Sequence, residues 1–114
     1  MPEKSMNYEV RIVKDGRGGW VYYLEDKAML PFDWDTTSDG FEVYLPPSNE
    51  WDDFCKKNNA MNCIGRRQQI IERLAEEVRR KKAKKATVSI DDQGICFSFE
   101  GDWLHSLVSR ILGV

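Results

Sequence analysis

The sequence has few of the residues that usually act as general bases and nucleophiles in enzymes. It contains a single histidine, His105, and three cysteines without a CxxC pair, Cys55, Cys63 and Cys96. A general base needs a nucleophile within reach and an acid that orients it. Ser106 and Asp102 lie near His105 in the sequence, but their spacing fixes no such geometry. An enzyme is therefore the least favoured hypothesis, and we expect no cofactor.

The chain also lacks a long apolar run. About 18 consecutive apolar residues are needed to span a bilayer, and the first seven residues contain no apolar core of a signal peptide. An odd number of cysteines is unusual for a secreted disulfide scaffold. We therefore expect a cytoplasmic protein with free thiols and no membrane partner. A length of 114 residues predicts a single domain, 1–114, with residues 1–6 as a flexible N-terminus.

Two glycine-containing loops resemble ligand sites only at first sight. The segment 16–19 contains three glycines, but it lacks the lysine of a phosphate-binding loop and lies between predicted strands. The segment 33–40 has acids at its first, third and seventh positions, which do not match the oxygen positions of a calcium loop. Both segments are typical of polar turns, and we expect no metal.

Alternating apolar residues and short turns predict a strand-rich first half. Strands are expected at 7–13, 20–24, 28–34 and 41–45, separated by turns too short for parallel crossovers. Two further strands at 87–91 and 95–99 form a hairpin around Asp91–Gly94. The first four strands therefore form an antiparallel meander.

Helical periodicity replaces the alternation in two places. Residues 64–83 carry an apolar stripe, which predicts a helix, and they end in a run of cations. Cations interact favourably with the negative, C-terminal end of the helix dipole. A final helix is predicted from about Asp102, because six residues repeat at helical spacing: Trp103, Leu104, Leu107, Val108, Ile111 and Leu112. A short helix at 48–54 is also considered. The predicted fold is α+β, in the order ββββ(α)αββα, with both long helices on one face of a mainly antiparallel sheet.

The charges are unevenly divided. The net charge is −2, but residues 1–60 carry 12 acids and 7 bases, whereas residues 61–114 carry 7 acids and 10 bases. Between Trp20 and Asp53 there are nine acids and one base. Such asymmetry bears on association with charged partners rather than on the fold.

The alternation also predicts which residues share each face of the sheet. On the second strand we expect Trp20, Tyr22 and Leu24 to face the helices. Val21 and Tyr23 would then lie on the opposite face with Met29 and Tyr44, next to several acids. Aromatic patches with polar rims are typical of interaction surfaces. Alternatively, residues 48–63 fold over this second face, with Trp51 and Phe54 as a lid, or the face forms a small-ligand pocket.

No set of residues matches the motif of a family with known function. The favoured hypothesis is a non-enzymatic protein-interaction module that presents an acidic, aromatic surface to a basic protein partner. Bacterial immunity proteins against nuclease toxins use surfaces of this chemical kind, and the comparison concerns surface character alone. The residues predicted for this surface are Tyr23, Trp34, Asp35, Tyr44, Trp51 and Asp52.

The alternative hypothesis is a nucleic-acid accessory protein. Six of the seven residues 79–85 are basic, and cations attract phosphate. The residues predicted for such a site are Arg66, Arg67, Arg79, Arg80, Lys81 and Lys82. The isoelectric point of about 5.4 and the acidic first half oppose this reading, so nucleic acid is the less favoured partner.

Overall fold

The computed structural model describes residues 7–99. Six strands form one sheet: β1 Tyr8–Asp15, β2 Gly18–Glu25, β3 Ala28–Thr37, β4 Gly40–Tyr44, β5 Thr87–Ile90 and β6 Gly94–Ser98. Between β4 and β5 lie two helices, α1 Trp51–Lys57 and α2 Arg67–Lys82, and two short 3-10 turns, Ser48–Glu50 and Met61–Cys63. The chain is therefore an α+β protein dominated by its sheet. The predicted final helix lies outside the described residues.

The sheet is antiparallel throughout, in the order β1-β2-β3-β4-β6-β5. The predicted four-stranded meander is confirmed, and so is the predicted hairpin between β5 and β6. Tight turns join the first three strands, with Gly16 and Asp26 at positive φ angles of 70° and 55°, a conformation that glycine and aspartate tolerate better than most residues. β6 rather than β5 pairs with β4, so β5 forms one edge of the sheet and β1 the other.

Both described helices pack on the same face of the sheet, which we call the covered face. The Phe32 ring lies 6.3 Å from the Trp51 ring and 5.4 Å from the Phe54 ring of α1. From α2, Ile71 and Leu74 are buried in the same core as Val21 and Leu30. The two helices therefore cover one side of the sheet and leave the other side outside the core.

The pairing of β2 corrects the predicted assignment of its faces. Tyr23 lies opposite Val10 and Leu30, and Val21 lies opposite Phe32. Residues directly opposite each other in a sheet share a face, so Val21 and Tyr23 point into the core. Both are at most 1% exposed. The alternate β2 residues, Trp20, Tyr22 and Leu24, therefore lie on the opposite face rather than against the helices.

The structure also decides the position of residues 48–63. The short helix predicted there is present, and it continues to Lys57 instead of ending before Lys56. Trp51 and Phe54 pack against Phe32 on the covered face. The alternative in which this segment forms a lid over the second face of the sheet is therefore wrong.

The long helix α2 is confirmed with a later start than predicted. It begins at Arg67 rather than Ile64, because the 3-10 turn Met61–Cys63 and Gly65, with φ of 76°, interrupt the helical backbone before it. Its buried stripe holds the helix on the covered face. Near its end, Lys81 Nζ donates a hydrogen bond of 2.5 Å to the carbonyl oxygen of Val10. This contact ties α2 to the edge strand β1.

A matched pair of valines tests the corrected faces. Val21→Ala removes two buried carbon atoms from the core and is expected to lower the free energy of unfolding by about 1–3 kcal/mol. Val13→Ala, at a residue that is 43% exposed, is expected to change it by no more than about 0.5 kcal/mol. Urea unfolding followed by far-UV circular dichroism measures both. Equal losses for the two variants would contradict the assignment of Val21 to the core.

Candidate interaction surface

The face of the sheet away from α1 and α2, which we call the outer face, is defined by strand pairing. Val13 of β1 lies opposite Trp20 of β2, which lies opposite Asp33 of β3. The pairing of Trp34 with Val43 places Tyr44 of β4 next in this line. We call these four residues the Trp20–Tyr44 row. Toward the other end of the strands, Asp35, Glu42 and Cys96 form a second line on the same face.

Most of the exposed large apolar side chains of the described residues lie on the outer face. Of the six large hydrophobic residues that are exposed within residues 7–99, four belong to it: Val13, Trp20, Met29 and Tyr44. Trp20 stacks on Tyr22 with their ring centroids 6.4 Å apart, which fixes two aromatic rings side by side on β2. The outer face of this sheet therefore carries an exposed aromatic patch, a feature that marks interaction surfaces more often than ordinary solvent-exposed sheet.

The outer face is also acidic. Strand alternation places on it five carboxylates: Glu9, Asp15, Asp33, Asp35 and Glu42. The one cation among the strand residues of this face is Arg11, whose Nε lies 2.8 Å from Glu9 Oε2. Because that pair is internally neutralised, the remaining carboxylates give the face a negative potential.

The acidic side chains of this face also act on the pKa of Tyr44. Its phenol pKa is raised above the usual value, first by burial and then by the charges of Glu42 and Asp35. The pKa of the Cys96 thiol is raised by burial and then by the Glu42 carboxylate. Negative charge and aromatic surface therefore coincide at the middle of the sheet rather than occupying separate regions.

The residues predicted for the acidic, aromatic surface are not brought together. Asp35 and Tyr44 lie on the outer face. Tyr23, Trp34 and Trp51 are buried, at most 4% exposed, and they are corrected from surface to core residues. Asp52 is exposed on α1, on the other side of the sheet, where its Oδ1 accepts a hydrogen bond of 3.1 Å from the Gly65 amide.

Each buried aromatic residue has a specific partner for its polar atom. Trp34 Nε1 donates to the carbonyl oxygen of Val13 at 3.1 Å, and Trp51 Nε1 donates to that of Cys63 at 3.0 Å. These bonds let the indoles be buried without an unsatisfied donor. The predicted site omitted Trp20 and Tyr22, which were assigned to the other face, and Asp33, which was assigned to this face but not to the site. The pairing of β2 with β1 and β3 identifies the first two.

A second group of polar residues, the ion cluster, lies at the end of the covered face and consists of Tyr23, Glu25, Arg66 and Arg73. Arg66 Nη2 lies 2.9 Å and Arg73 Nη1 lies 3.2 Å from Glu25 Oε1. The Tyr23 hydroxyl donates to the same carboxylate at 2.5 Å and accepts from Arg73 at 2.7 Å. The Arg73 guanidinium also lies 4.4 Å from the centre of the Tyr8 ring. Because its groups satisfy one another, we assign this cluster a structural role.

The groups predicted for the nucleic-acid alternative are also largely engaged within the chain. Arg66 belongs to the ion cluster, and Arg67 donates to the carbonyl oxygen of Pro46 at 3.1 Å. Arg80 pairs with Glu77 at 2.6 Å, and Lys81 binds the backbone of β1. Arg79 and Lys82 are exposed. The first two cations and the last four lie at opposite ends of α2, so they do not form one continuous patch.

Within residues 7–99, the two buried cysteines and the side chains of the cleft beside α1 are poorly suited to nucleophilic catalysis. Burial raises the pKa of Cys55 to about 11, and burial also raises the pKa of Cys63, so both thiols are protonated at neutral pH and unreactive. A cleft of about 650 Å³ beside α1 is lined by Pro46, Glu50, Asp53, Phe54, Lys56 and Lys57. None of these side chains is a nucleophile with an adjacent base. His105, Ser106 and Asp102 lie outside the described residues.

The ion cluster predicts how stability depends on pH. Burial acts to raise the pKa of Glu25, but hydrogen bonds from Arg66 and Tyr23, together with the charges of both arginines, outweigh it and lower the pKa below 4.5. A carboxyl whose pKa is lowered by folding stabilises the fold above its unfolded pKa, and this contribution is lost as the pH falls through the folded pKa. Glu25→Gln is therefore expected to cost about 3 kcal/mol at pH 7, since it leaves two cations without their carboxylate.

The control for this prediction is Glu9→Gln, which breaks the exposed pair with Arg11 and is expected to cost less than about 1 kcal/mol. Chemical unfolding is measured for both variants at neutral pH and at a pH well below the ordinary glutamate value of 4.5. The deficit of Glu25→Gln should shrink at the lower pH. A deficit that stays constant with pH, or that equals the control, would show that the Glu25 charge is not what stabilises the cluster.

Three further findings complete the description of the site. No helix within residues 7–99 is long and apolar enough to cross a membrane. In the same part of the chain, no group of three histidine, cysteine or acidic side chains is arranged to hold a metal ion. Comparison with protein-family models, curated proteins and solved structures finds no match. The functional argument therefore depends on the geometry of the outer face.

Proposed function

We propose that this protein is a non-enzymatic interaction module that binds a basic protein partner through the outer face of its sheet. The observation that carries the proposal is the coincidence of exposed aromatic rings and unneutralised carboxylates on one face. Trp20 and Tyr44 are 37% and 44% exposed, and Asp33 lies between them in the Trp20–Tyr44 row. Four of the six predicted residues are not part of this surface, because Tyr23, Trp34 and Trp51 are buried in the core and Asp52 lies on α1.

The chemistry of this face suits lysine and arginine side chains. Aromatic rings attract cations at their faces, and this attraction grows when water is excluded. Asp33, Asp35 and Glu42 supply carboxylates around those rings, and bidentate arginine–carboxylate pairs are among the stronger charged hydrogen bonds. Charge complementarity would mainly raise the association rate and select the partner, whereas the aromatic residues would supply most of the binding energy.

The same chemistry disfavours nucleic acid on this face, because carboxylates repel phosphate. The basic end of α2 is the region that would bind phosphate instead, but Arg80 and Lys81 already bind Glu77 and Val10. A protein partner on the outer face therefore requires fewer existing contacts to break than a nucleic acid on the helix end.

The experiment uses the full chain as bait in a low-salt extract, followed by identification of the captured proteins and direct titration of each purified candidate by calorimetry. Asp33→Lys reverses a charge in the middle of the outer face and is expected to weaken binding at least about tenfold, or 1.4 kcal/mol. Tyr44→Ala is expected to weaken it through loss of aromatic contact. Raising the salt concentration should slow association.

The matched control is Asp53→Lys, which makes the same charge change at an exposed position of α1, on the other side of the sheet. It should leave the affinity within about twofold of the unmodified chain, because it preserves the outer face and changes only the long-range field. Equal losses from Asp33→Lys and Asp53→Lys would reject the outer face as the binding site. Failure to capture any basic protein at low salt would also count against the proposal.

A further inference from the structure

The strand β5 leaves one edge of the sheet open. It pairs with β6 on one side only and stands last in the strand order. The amide of Asp91 donates to the carbonyl oxygen of Gly94 at 3.0 Å. Because hydrogen bonding alternates along an antiparallel pair, Ser89 also bonds toward β6, whereas Val88 and Ile90 direct their N–H and C=O groups to the free side, which we call the open edge. Within the described part of the chain, nothing binds these four groups.

The opposite edge of the sheet differs from the open edge. On β1 the carbonyl oxygen of Val10 accepts a hydrogen bond from Lys81 Nζ of α2. A lysine at an edge strand is a common means of preventing its pairing with another chain. The strand Thr87–Ile90 contains neither a charged residue nor a proline. Such an edge is a template for a further strand.

We propose that the open edge pairs with β5 of a second copy of this chain, antiparallel and about a two-fold axis at Ser89. In this register Val88 of each copy lies opposite Ile90 of the other, and the two pairs form four backbone hydrogen bonds that use every open donor and acceptor. A contact of this symmetric kind closes on itself and gives a dimer rather than a filament. It does not depend on the proposed partner, because it leaves the middle of both outer faces exposed on the same side of the joined sheet.

The charges that flank β5 favour a second copy as the occupant. Lys84 and Lys85 precede the strand, Asp91 follows it, and all three are exposed. Among the described residues none of the three forms an ion pair. Antiparallel pairing places the beginning of each strand beside the end of the other, so the two lysines of one copy approach Asp91 of the second copy. Opposite charges in these positions favour the pairing.

The apolar side chains of β5 also match across the axis. Val88 and Ile90 lie opposite Phe97 and Ile95 of β6, which are buried, so they belong to the covered face. Ile90 is nevertheless exposed, and cross-strand contact with Val88 of the second copy covers part of its surface. A contact between two short strands is small compared with standard protein interfaces. We therefore expect a dimer whose population rises with protein concentration.

Sedimentation equilibrium of the full chain tests the proposal. Ile90→Pro should weaken dimerisation at least about tenfold, because it removes an N–H group of the open edge without breaking a bond to β6. Lys14→Pro is the matched control, since Lys14 lies four residues after Val10 and has its N–H group on the free side of β1. This control should leave the dimerisation constant within about twofold.

Three outcomes of this measurement would overturn the proposal. The first is a chain that remains monomeric up to about 1 mM. The second is an equal loss of dimerisation from the two proline variants. The third is the formation of larger oligomers in place of dimers, because these would indicate a contact between different edges of the two copies.

Charge reversal provides a measurement that does not alter the backbone of β5. Lys84→Glu combined with Lys85→Glu should weaken dimerisation at least about fivefold and should remove most of its dependence on salt. The matched control makes the same change at Lys56 and Lys57, which are exposed on α1. Equal effects of the two double variants would reject the predicted contact with Asp91.

Disulfide trapping locates the two-fold axis. Ser89 and its counterpart form a non-hydrogen-bonded pair with Cα atoms about 4.5 Å apart, a separation that a disulfide can bridge. Cys96→Ser first removes the native thiol opposite Ser89. With oxidised glutathione as the oxidant, Ser89→Cys should then form a disulfide-linked dimer at least about tenfold faster than Lys14→Cys. Equal rates for the two variants would reject β5 as the interface.

Discussion

The arrangement of the sheet depends on the carboxylate of Glu25. Glu25 ends β2 on the covered face, two residues after Tyr23, and it binds both Arg66 and Arg73. Arg66 precedes α2 and Arg73 lies within it, so one carboxylate ties the second strand to the long helix. Turning β2 over would expose Tyr23, leave both arginines without this anion and place Trp20 and Tyr22 against the helices. The composition of the outer face therefore follows from the way β2 is held.

The aromatic residues on the two faces of the sheet differ in how their polar atoms are satisfied. Trp34 and Trp51 can be buried because backbone carbonyl oxygens accept their indole N–H groups. Trp20 and Tyr44 remain exposed among carboxylates instead. This division separates residues that hold the fold from the exposed residues that we propose bind a partner, and we expect substitutions on the outer face to leave the core intact. A surface that can change without loss of the fold is suited to recognition.

Much of the fold could be predicted from local pattern, and the failures have a common cause. Strict alternation places Val10, Phe32 and Val43 correctly in the core. In β2 the run Trp20–Leu24 is apolar at every position, so the alternation does not define its inward face. Its orientation is set by pairing with β1 and β3 and by the ion cluster, which joins residues more than 40 positions apart. The side of the sheet taken by α1 is likewise a tertiary property. The site prediction failed for the same reason, because it selected Tyr23 from the wrong face and had no means of seeing the partners of the two buried indoles.

Carbon-13 NMR titration of the Glu25 carboxyl tests most directly whether β2 is held inward by this ion cluster. The measurement follows the carboxyl carbon in the folded, full-length chain, with Tyr23→Phe as a variant that keeps the ring and removes one hydrogen bond to the carboxylate. We predict a pKa below the ordinary value of 4.5, which rises in the variant. A pKa at or above 4.5 that is unaffected by Tyr23→Phe would contradict the account, because Glu25 would then be separated from the arginines and the inward orientation of β2 would lack its anchor.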